Sequence, residues 1–264
     1  MNKKEISIIL PVLNEEENLK FLIPDLSEIL SKLVGENFEI IVIDDQSIDN
    51  TKTLVKEFLS SSYNIVYKLR NGVKSLPLSI FEGIEISKYK NVLWMDADGS
   101  MPASTVREMV DISTQNLECV VIGSRFVEGG AYKGILELEE KSLIKAIFNV
   151  YKSNDTVLGM ILSNLFNKLL RTIFKSQVHD ITSGFILGKK DYFNKSAFEE
   201  ADYGEYFIKV VSEILSSNIE IIEKGYVCET RKYGSSKTAT SFLQLLKRGY
   251  PYILTAYKVR KHGI

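Results

Sequence analysis

"VLWMDADGSMP", residues 92–102, passes from four apolar side chains straight into two carboxylates one residue apart. Val92, Leu93, Trp94 and Met95 read as a buried strand, so Asp96 and Asp98 stand where that strand leaves the core and meets water. In an open α/β sheet the carboxyl ends of the strands border the crevice where ligands bind. Two acids at i and i+2 of a turn there can point the same way. The simpler account is an Asp-Gly turn, with Asp98 and Gly99 chosen for backbone geometry. The rest of the chain decides between them.

Upstream, Ile6 to Val12 reads as a buried strand, and Asn14 is expected to cap the following helix with Glu17 three residues on. Leu19, Leu22, Ile23, Leu26, Ile29, Leu30 and Leu33 recur at helical spacing, with a kink expected at Pro24 and an end at Gly35. "FEIIVIDD" (38–45) is a second strand ending in acids. A helix over 51–60, a strand "NIVYKL" (64–69), a helix near 78–87, a helix near 104–116 and the strand "CVVIGS" (119–124) complete the pattern. This βα alternation predicts a parallel sheet with right-handed crossovers. It sets Asp44 and Asp45, Asp96 and Asp98, and Arg125 at the same ends of three strands. Turn chemistry alone predicts no preference for that rim.

With 264 residues, 45% of them hydrophobic, the chain can bury a core of domain size. A net charge of -1 argues against general polyanion binding, nucleic acid included. Two cysteines far apart and two histidines give neither a disulfide framework nor a His-rich metal site, which fits a reducing cytoplasm. No run reaches the roughly 18–20 uncharged apolar residues that span a bilayer. "MNKKEISIIL" enters a strand without a cleavage site, so a chain neither secreted nor membrane-spanning is expected. GxxxxGK[ST] and GxGxxG are both absent. Rim acids without a glycine-rich cradle suit Mg²⁺ or Mn²⁺ carrying a diphosphate, as in an enzyme that uses a nucleotide sugar.

"IILPVLNEEENL", "DDQSIDNT", "MDADGSMP", "GSRF", "DITSGF" and "RKYGSSK" occur in the order and approximate spacing of the family 2 glycosyltransferases of GT-A fold. The last two motifs make the chain most similar to the dolichyl- or polyprenyl-phosphate sugar transferases. The resemblance covers roughly 5–130 and 163–240. It implies an α/β domain with a mostly parallel central sheet over 1–237, interrupted by a helical insertion at about 131–162. Pro11, Glu15, Asp44 and Asp45 would hold the base and ribose of a GDP- or UDP-linked sugar. Asp96 would contact the ribose or the metal, and Asp98 would be the direct metal ligand. Arg231 and Lys237 would close over the phosphates. Arg125 would face the acceptor phosphate, and Asp180 and Ser183 would lie at the acceptor or sugar pocket. A polyprenyl phosphate, with a second pKa of about 6, needs no strong general base, so one in-line displacement would invert the anomeric centre.

Three positions depart from the family pattern: Ser100 where Gln is usual, Lys209 where an acid is usual, and Gly225 where Pro is usual. They motivate an inactive nucleotide-sugar-binding scaffold as one alternative. The other is a relative with a saccharide or other hydroxyl acceptor, which would need a carboxylate base. "LEEKSLIKAIFNVYKSNDTVLGMILSNLFNKLL" reads as two amphipathic helices broken near 153–155, expected to pack on the sheet edge, the alternative being a lipid-facing lid near the acceptor site. From Thr238 to Ile264 the chain carries Lys247, Arg248, Lys258, Arg260 and Lys261 with no acid, interleaved with aromatic and aliphatic residues. This 238–264 extension is expected to dock peripherally on the cytoplasmic face of a membrane, alone or through a separate anchoring subunit.

Overall fold

The computed structural model describes residues 5–61, 63–116, 118–132, 156–229, 233 and 242–262. Strand β2 (Phe38–Asp44) is buried along its whole length and pairs in parallel with β1 (Ile6–Val12), from Ile6 opposite Phe38 to Val12 opposite Asp44. β3 (Ile65–Leu69), β4 (Asn91–Trp94), β5 (Cys119–Ser124), β7 (Ile186–Lys189) and β8 (Glu220–Gly225) extend the sheet in the order β3-β2-β1-β4-β7-β5-β8. Every described pairing in it is parallel except those of β7, which runs antiparallel to both β4 and β5. A short parallel pair, β6 (Ala131–Tyr132) with β9 (Val227–Cys228), stands apart.

Apolar residues on both faces of the inner strands demand a layer on each side. Ile8, Leu10, Ile40 and Val42 face α1 (Glu16–Val34), α2 (Thr51–Ser60) and α4 (Ala103–Gln115). Ile9, Ile41 and Ile43 face α3 (Leu76–Ile86), α5 (Thr156–Phe174), α6 (Lys195–Glu199), α7 (Tyr206–Ser216) and α8 (Phe242–His262). In α1, Leu19, Ile23, Leu26 and Leu30 are fully buried, each worth about 1.5–3 kcal/mol of transfer free energy. Trp94 is a core residue whose indole N–H donates to Tyr206 Oη at 3.0 Å, with Phe193 and Phe198 edge-on to its ring.

The expected strands and helices of the first half lie within two residues of their predicted ends, and Gly35 closes α1 at φ +65°. Asn14 does not cap α1. It sits at φ +60°, and its Oδ1 accepts the Ile48 N–H at 2.7 Å. The first-turn donors find partners in the loop before α2, with Glu15 N–H to Thr51 Oγ1 at 3.1 Å and Glu16 N–H to Asp49 Oδ2 at 3.2 Å. A cap brought from about 35 residues away leaves no local signature. α5 begins inside the stretch expected to be insertion, and 133–155 lies outside the described residues.

The departures at 209 and 225 have structural accounts. Lys209 pairs with Glu200 at 2.9 Å across the end of α6. At Gly225, a Cβ would lie 2.1 Å from Glu128 O and 2.6 Å from Gly130 N. Backbone cannot swing aside as a side chain can, so Gly225→Ala and Gly225→Pro are each expected to lose at least about 1–3 kcal/mol. An unchanged thermal midpoint in either variant would show that the 128–130 turn can move away.

Candidate active site

The position of β7 assembles the site. Because it runs antiparallel between β4 and β5, with Ile186 opposite Trp94 and Ile122, its starting end lies at the carboxyl ends of both neighbours. The segment leading into it, "DITSG", therefore joins the "DADG" turn after β4 and Arg125 after β5. The loop after β2, with Asp44 and Asp45, opens on the same rim.

The turn after β4 is pinned by its own backbone. Gly99 at φ +75° lets the chain reverse, and Ser100 N–H donates to Asp98 Oδ1 at 2.9 Å. The Ser100 carbonyl accepts the Glu229 N–H at 2.9 Å, tying this turn to the chain after β9. Asp98 is 5% exposed and Asp96 is half-buried.

After β2, both acids are engaged. Asp44 Oδ1 accepts the Ser47 N–H and Oδ2 the Tyr67 hydroxyl, both at 2.7 Å. Burial, then that bond to Asp44, pushes the Tyr67 hydroxyl pKa well above its usual value. Asp45 accepts from Ser75 N–H at 2.7 Å and from Arg70 Nη1 at 2.5 Å, while Arg70 Nε donates to Glu82 at 2.8 Å. Arg70, only 3% exposed, is a structural cation that the sequence motifs did not single out. Its signal was available: an Arg directly after the β3 strand, opposite the Asp pair.

Arg125 is held as a fork. Its Nε and Nη2 donate to Asp180 Oδ2 and Oδ1 at 2.7 and 2.8 Å, its backbone N–H adds a bond to Oδ2 at 3.0 Å, and Nη2 also reaches Thr182 Oγ1. Asp180 is fully buried, and its carboxylate fixes the orientation of Arg125. Glu223 on β8 in turn accepts the backbone N–H groups of His179 and Asp180 at 2.7 and 3.0 Å. Ser183 donates to the Gly123 carbonyl and accepts the Phe185 N–H, which fastens β7 to β5. Thr182 and Glu223 were missed by sequence reasoning.

Pro11 is half-buried at the end of β1, and Glu15 Oε2 accepts from Asn18 Nδ2 at 2.8 Å. Arg231 and Lys237 lie outside the described residues. Between them in sequence, Tyr233 stacks on Phe21 of α1 at 6.0 Å, and its carbonyl accepts from Asn18 Nδ2 at 3.5 Å.

Cys228 shows the charges converging. Burial pushes its thiol up to about 11, Arg125 opposes that shift, and Asp98, Asp96 and Asp180 reinforce it. Among the described residues no cluster of three or more His, Cys, Asp or Glu side chains could hold a metal. Two rim carboxylates fit a hard divalent cation that takes its other ligands from water and substrate phosphate, the habit of Mg²⁺.

The family model described as "Glycosyl transferase family 2" matches residues 7–196. The chain is 35% identical over 126 residues to the dolichol-phosphate mannosyltransferase of Pyrococcus furiosus, covering 48% of this chain and 34% of that protein. It is 30% identical over 234 residues to the poly(ribitol-phosphate) beta-N-acetylglucosaminyltransferase TarP of Staphylococcus aureus, covering 81% and 65%. The chain thus spans less than two-thirds of the length of either relative. With the polyprenol monophosphomannose synthase of Mycolicibacterium smegmatis it shares 22% over 240 residues, covering 89% and 81%. Glucosyl-3-phosphoglycerate synthase from Mycobacterium tuberculosis, solved in complex with phosphoglyceric acid, has a TM-score of 0.61 at 15% identity, covering 97% of this chain and 80% of that one. The same enzyme has been solved with Mg²⁺ or Mn²⁺ and UDP, at a TM-score of 0.58. At these identities the solved structures show the GT-A fold alone. With that fold, and with a family match spanning 7–196, the chain belongs to glycosyl transferase family 2.

Proposed function

We propose that this chain transfers a sugar, of mannose or glucose type, from a GDP- or UDP-linked donor to a polyprenyl phosphate, with inversion. The observation that carries the reading is a guanidinium fixed by a buried carboxylate, on the same rim as an Asp-x-Asp turn. Arg125 is oriented by Asp180 before any ligand arrives, so its binding of an anionic acceptor needs little reorganisation. Such an acceptor is already nucleophilic. A hydroxyl acceptor would instead need a base, and the carboxylate beside Arg125, that of Asp180, is engaged by the guanidinium. That favours phosphate over a saccharide hydroxyl.

Asp98, with Asp96 beside it, would hold Mg²⁺ or Mn²⁺, which when bound supplies charge neutralisation for a departing diphosphate. Pro11, Glu15, Asp44 and Asp45 would shape the nucleoside end, with Asp44 and Asp45 acting through the loops they brace. Arg231 and Lys237 would close over the phosphates. Arg125 would align the acceptor oxygen with the anomeric carbon.

The C-terminal helix supports a peripheral membrane role. α8 buries Thr255, Ala256 and Val259 against the domain and leaves Tyr250, Leu254, Tyr257, Lys258, Arg260 and Lys261 exposed. Among the described residues no helix is long and apolar enough to cross a membrane. Basic and aromatic side chains on one exposed face suit an anionic interface. Liposome flotation should rise with anionic lipid, fall with salt, and drop for a Tyr250→Ser, Tyr257→Ser, Lys258→Glu variant. If the unaltered chain ignores anionic liposomes at low salt, a separate anchoring partner is the better account.

The function itself is tested by incubating the purified protein with radiolabelled GDP- and UDP-sugars, Mg²⁺ or Mn²⁺, and either polyprenyl phosphate or free saccharides. Label should enter the organic phase only with the lipid phosphate and one donor type. Label transferred only to saccharides supports the hydroxyl-acceptor alternative, and no transfer from any donor supports a binding scaffold.

A further inference from the structure

Between the loop that follows β5 and helix α5 lies a pocket of about 320 Å³. Its described lining includes Arg125, Lys168 and Arg171 and contains no acid, with Phe126 and Val127 adding apolar surface. Asn164, Lys168 and Arg171 recur at i, i+4 and i+7, so one face of α5 supplies one wall.

Two features make this a built site rather than a chance cleft. Asn167, on the same face, accepts the Ile181 N–H at 3.2 Å and donates to the His179 carbonyl at 2.5 Å. It therefore bolts α5 to the segment that carries Asp180, and through Asp180 the helix wall is in register with Arg125 on the opposite wall. Arg171 Nε is buried and has no hydrogen-bond partner among the described residues. A buried guanidinium N–H is normally satisfied, so this one marks a cation that the pocket's wall leaves incompletely paired.

We propose that this pocket is the acceptor's anion subsite, in which Lys168 and Arg171 bind a phosphomonoester together with Arg125. The inference rests on the phosphate-acceptor reading and deepens it by adding two specificity-determining residues on α5. The pocket is several times the roughly 30 Å³ share of one water molecule, so it has room for a phosphoryl group and the first carbons attached to it. Phe126 and Val127 supply apolar contact for those carbons. Recognition in this pocket is of a phosphomonoester, whether carried by a lipid or by a small soluble molecule.

The test uses the whole chain with two probes, inorganic phosphate and a short-chain prenyl monophosphate, titrated by calorimetry into the unaltered protein and into Lys168→Met and Arg171→Met. Circular dichroism and UDP or GDP binding report whether each variant retains its fold and donor site. Both probes should bind, and each substitution should weaken binding by about tenfold, equivalent to about 1.4 kcal/mol, with nucleotide binding unchanged. Inorganic phosphate that binds as tightly as the prenyl monophosphate shows that the pocket reads the phosphoryl group alone, as a small soluble acceptor requires; tighter prenyl binding identifies the lipid. Unchanged phosphate binding in both folded variants overturns the subsite. If Arg171→Met fails to fold, Lys168→Met decides alone. Transfer to lipid phosphate that is indifferent to both substitutions leaves the proposed function standing without the subsite. Phosphate binding that both variants lose, with no sugar transfer from any donor, does the reverse.

Discussion

Asp98→Asn should lower turnover by a factor on the order of 10²–10³, the range lost with one preorganised group that stabilises developing charge. The fold should survive. Asn keeps an oxygen for the Ser100 N–H that now reaches Asp98 Oδ1, so the turn retains that bond while the negative charge is lost. A thermal midpoint near that of the unaltered protein, together with weaker Mn²⁺ binding followed by electron paramagnetic resonance, would locate the loss at the cation. Chelation by EDTA should abolish transfer, and re-added Mg²⁺ or Mn²⁺ should restore it. Full activity in EDTA, or an Asp98→Asn protein as active as the original, would remove the metal from the account.

Asp180→Asn should act on stability and on acceptor binding together. The carboxylate accepts two parallel N–H bonds from the Arg125 fork and a third from its backbone, and it is fully buried. An amide offers one oxygen and turns two N–H donors toward a guanidinium, so a largely buried cation loses the negative charge of Asp180. Breaking such a pair costs about 3–5 kcal/mol, which in a domain of this size lowers the thermal midpoint on the order of 10 °C. Below that midpoint, the KM for lipid phosphate should rise while the KM for the nucleotide sugar stays put. Equal rises in both would place Arg125 at the donor instead.

The first half of the fold was legible because continuous apolar runs and helical spacing are local signals, and Ile6–Val12, Phe38–Asp44 and Cys119–Ser124 are such runs, buried almost throughout. β7 carries almost none. It is four residues ending in Gly188 and Lys189, and its antiparallel place between β4 and β5 is a tertiary choice. That choice brings "DITSG" to the acid rim, so spacing alone could say that Asp180 mattered but not that it holds Arg125. The same limit hid Glu223, whose partner Asp180 lies 43 residues away. Asn14 misled for the related reason that a cap can be supplied by another loop, here by Asp49 and Thr51.

The claim that a phosphate oxygen is the nucleophile and that the anomeric centre inverts is tested most directly on the product. With an α-linked nucleotide sugar as donor, two-dimensional ¹H–³¹P NMR of the purified lipid product should correlate the anomeric proton with a phosphodiester phosphorus, and the sugar should be β-linked. An α-linked sugar, or an anomeric proton uncoupled to phosphorus because the sugar sits on a hydroxyl, would contradict the account.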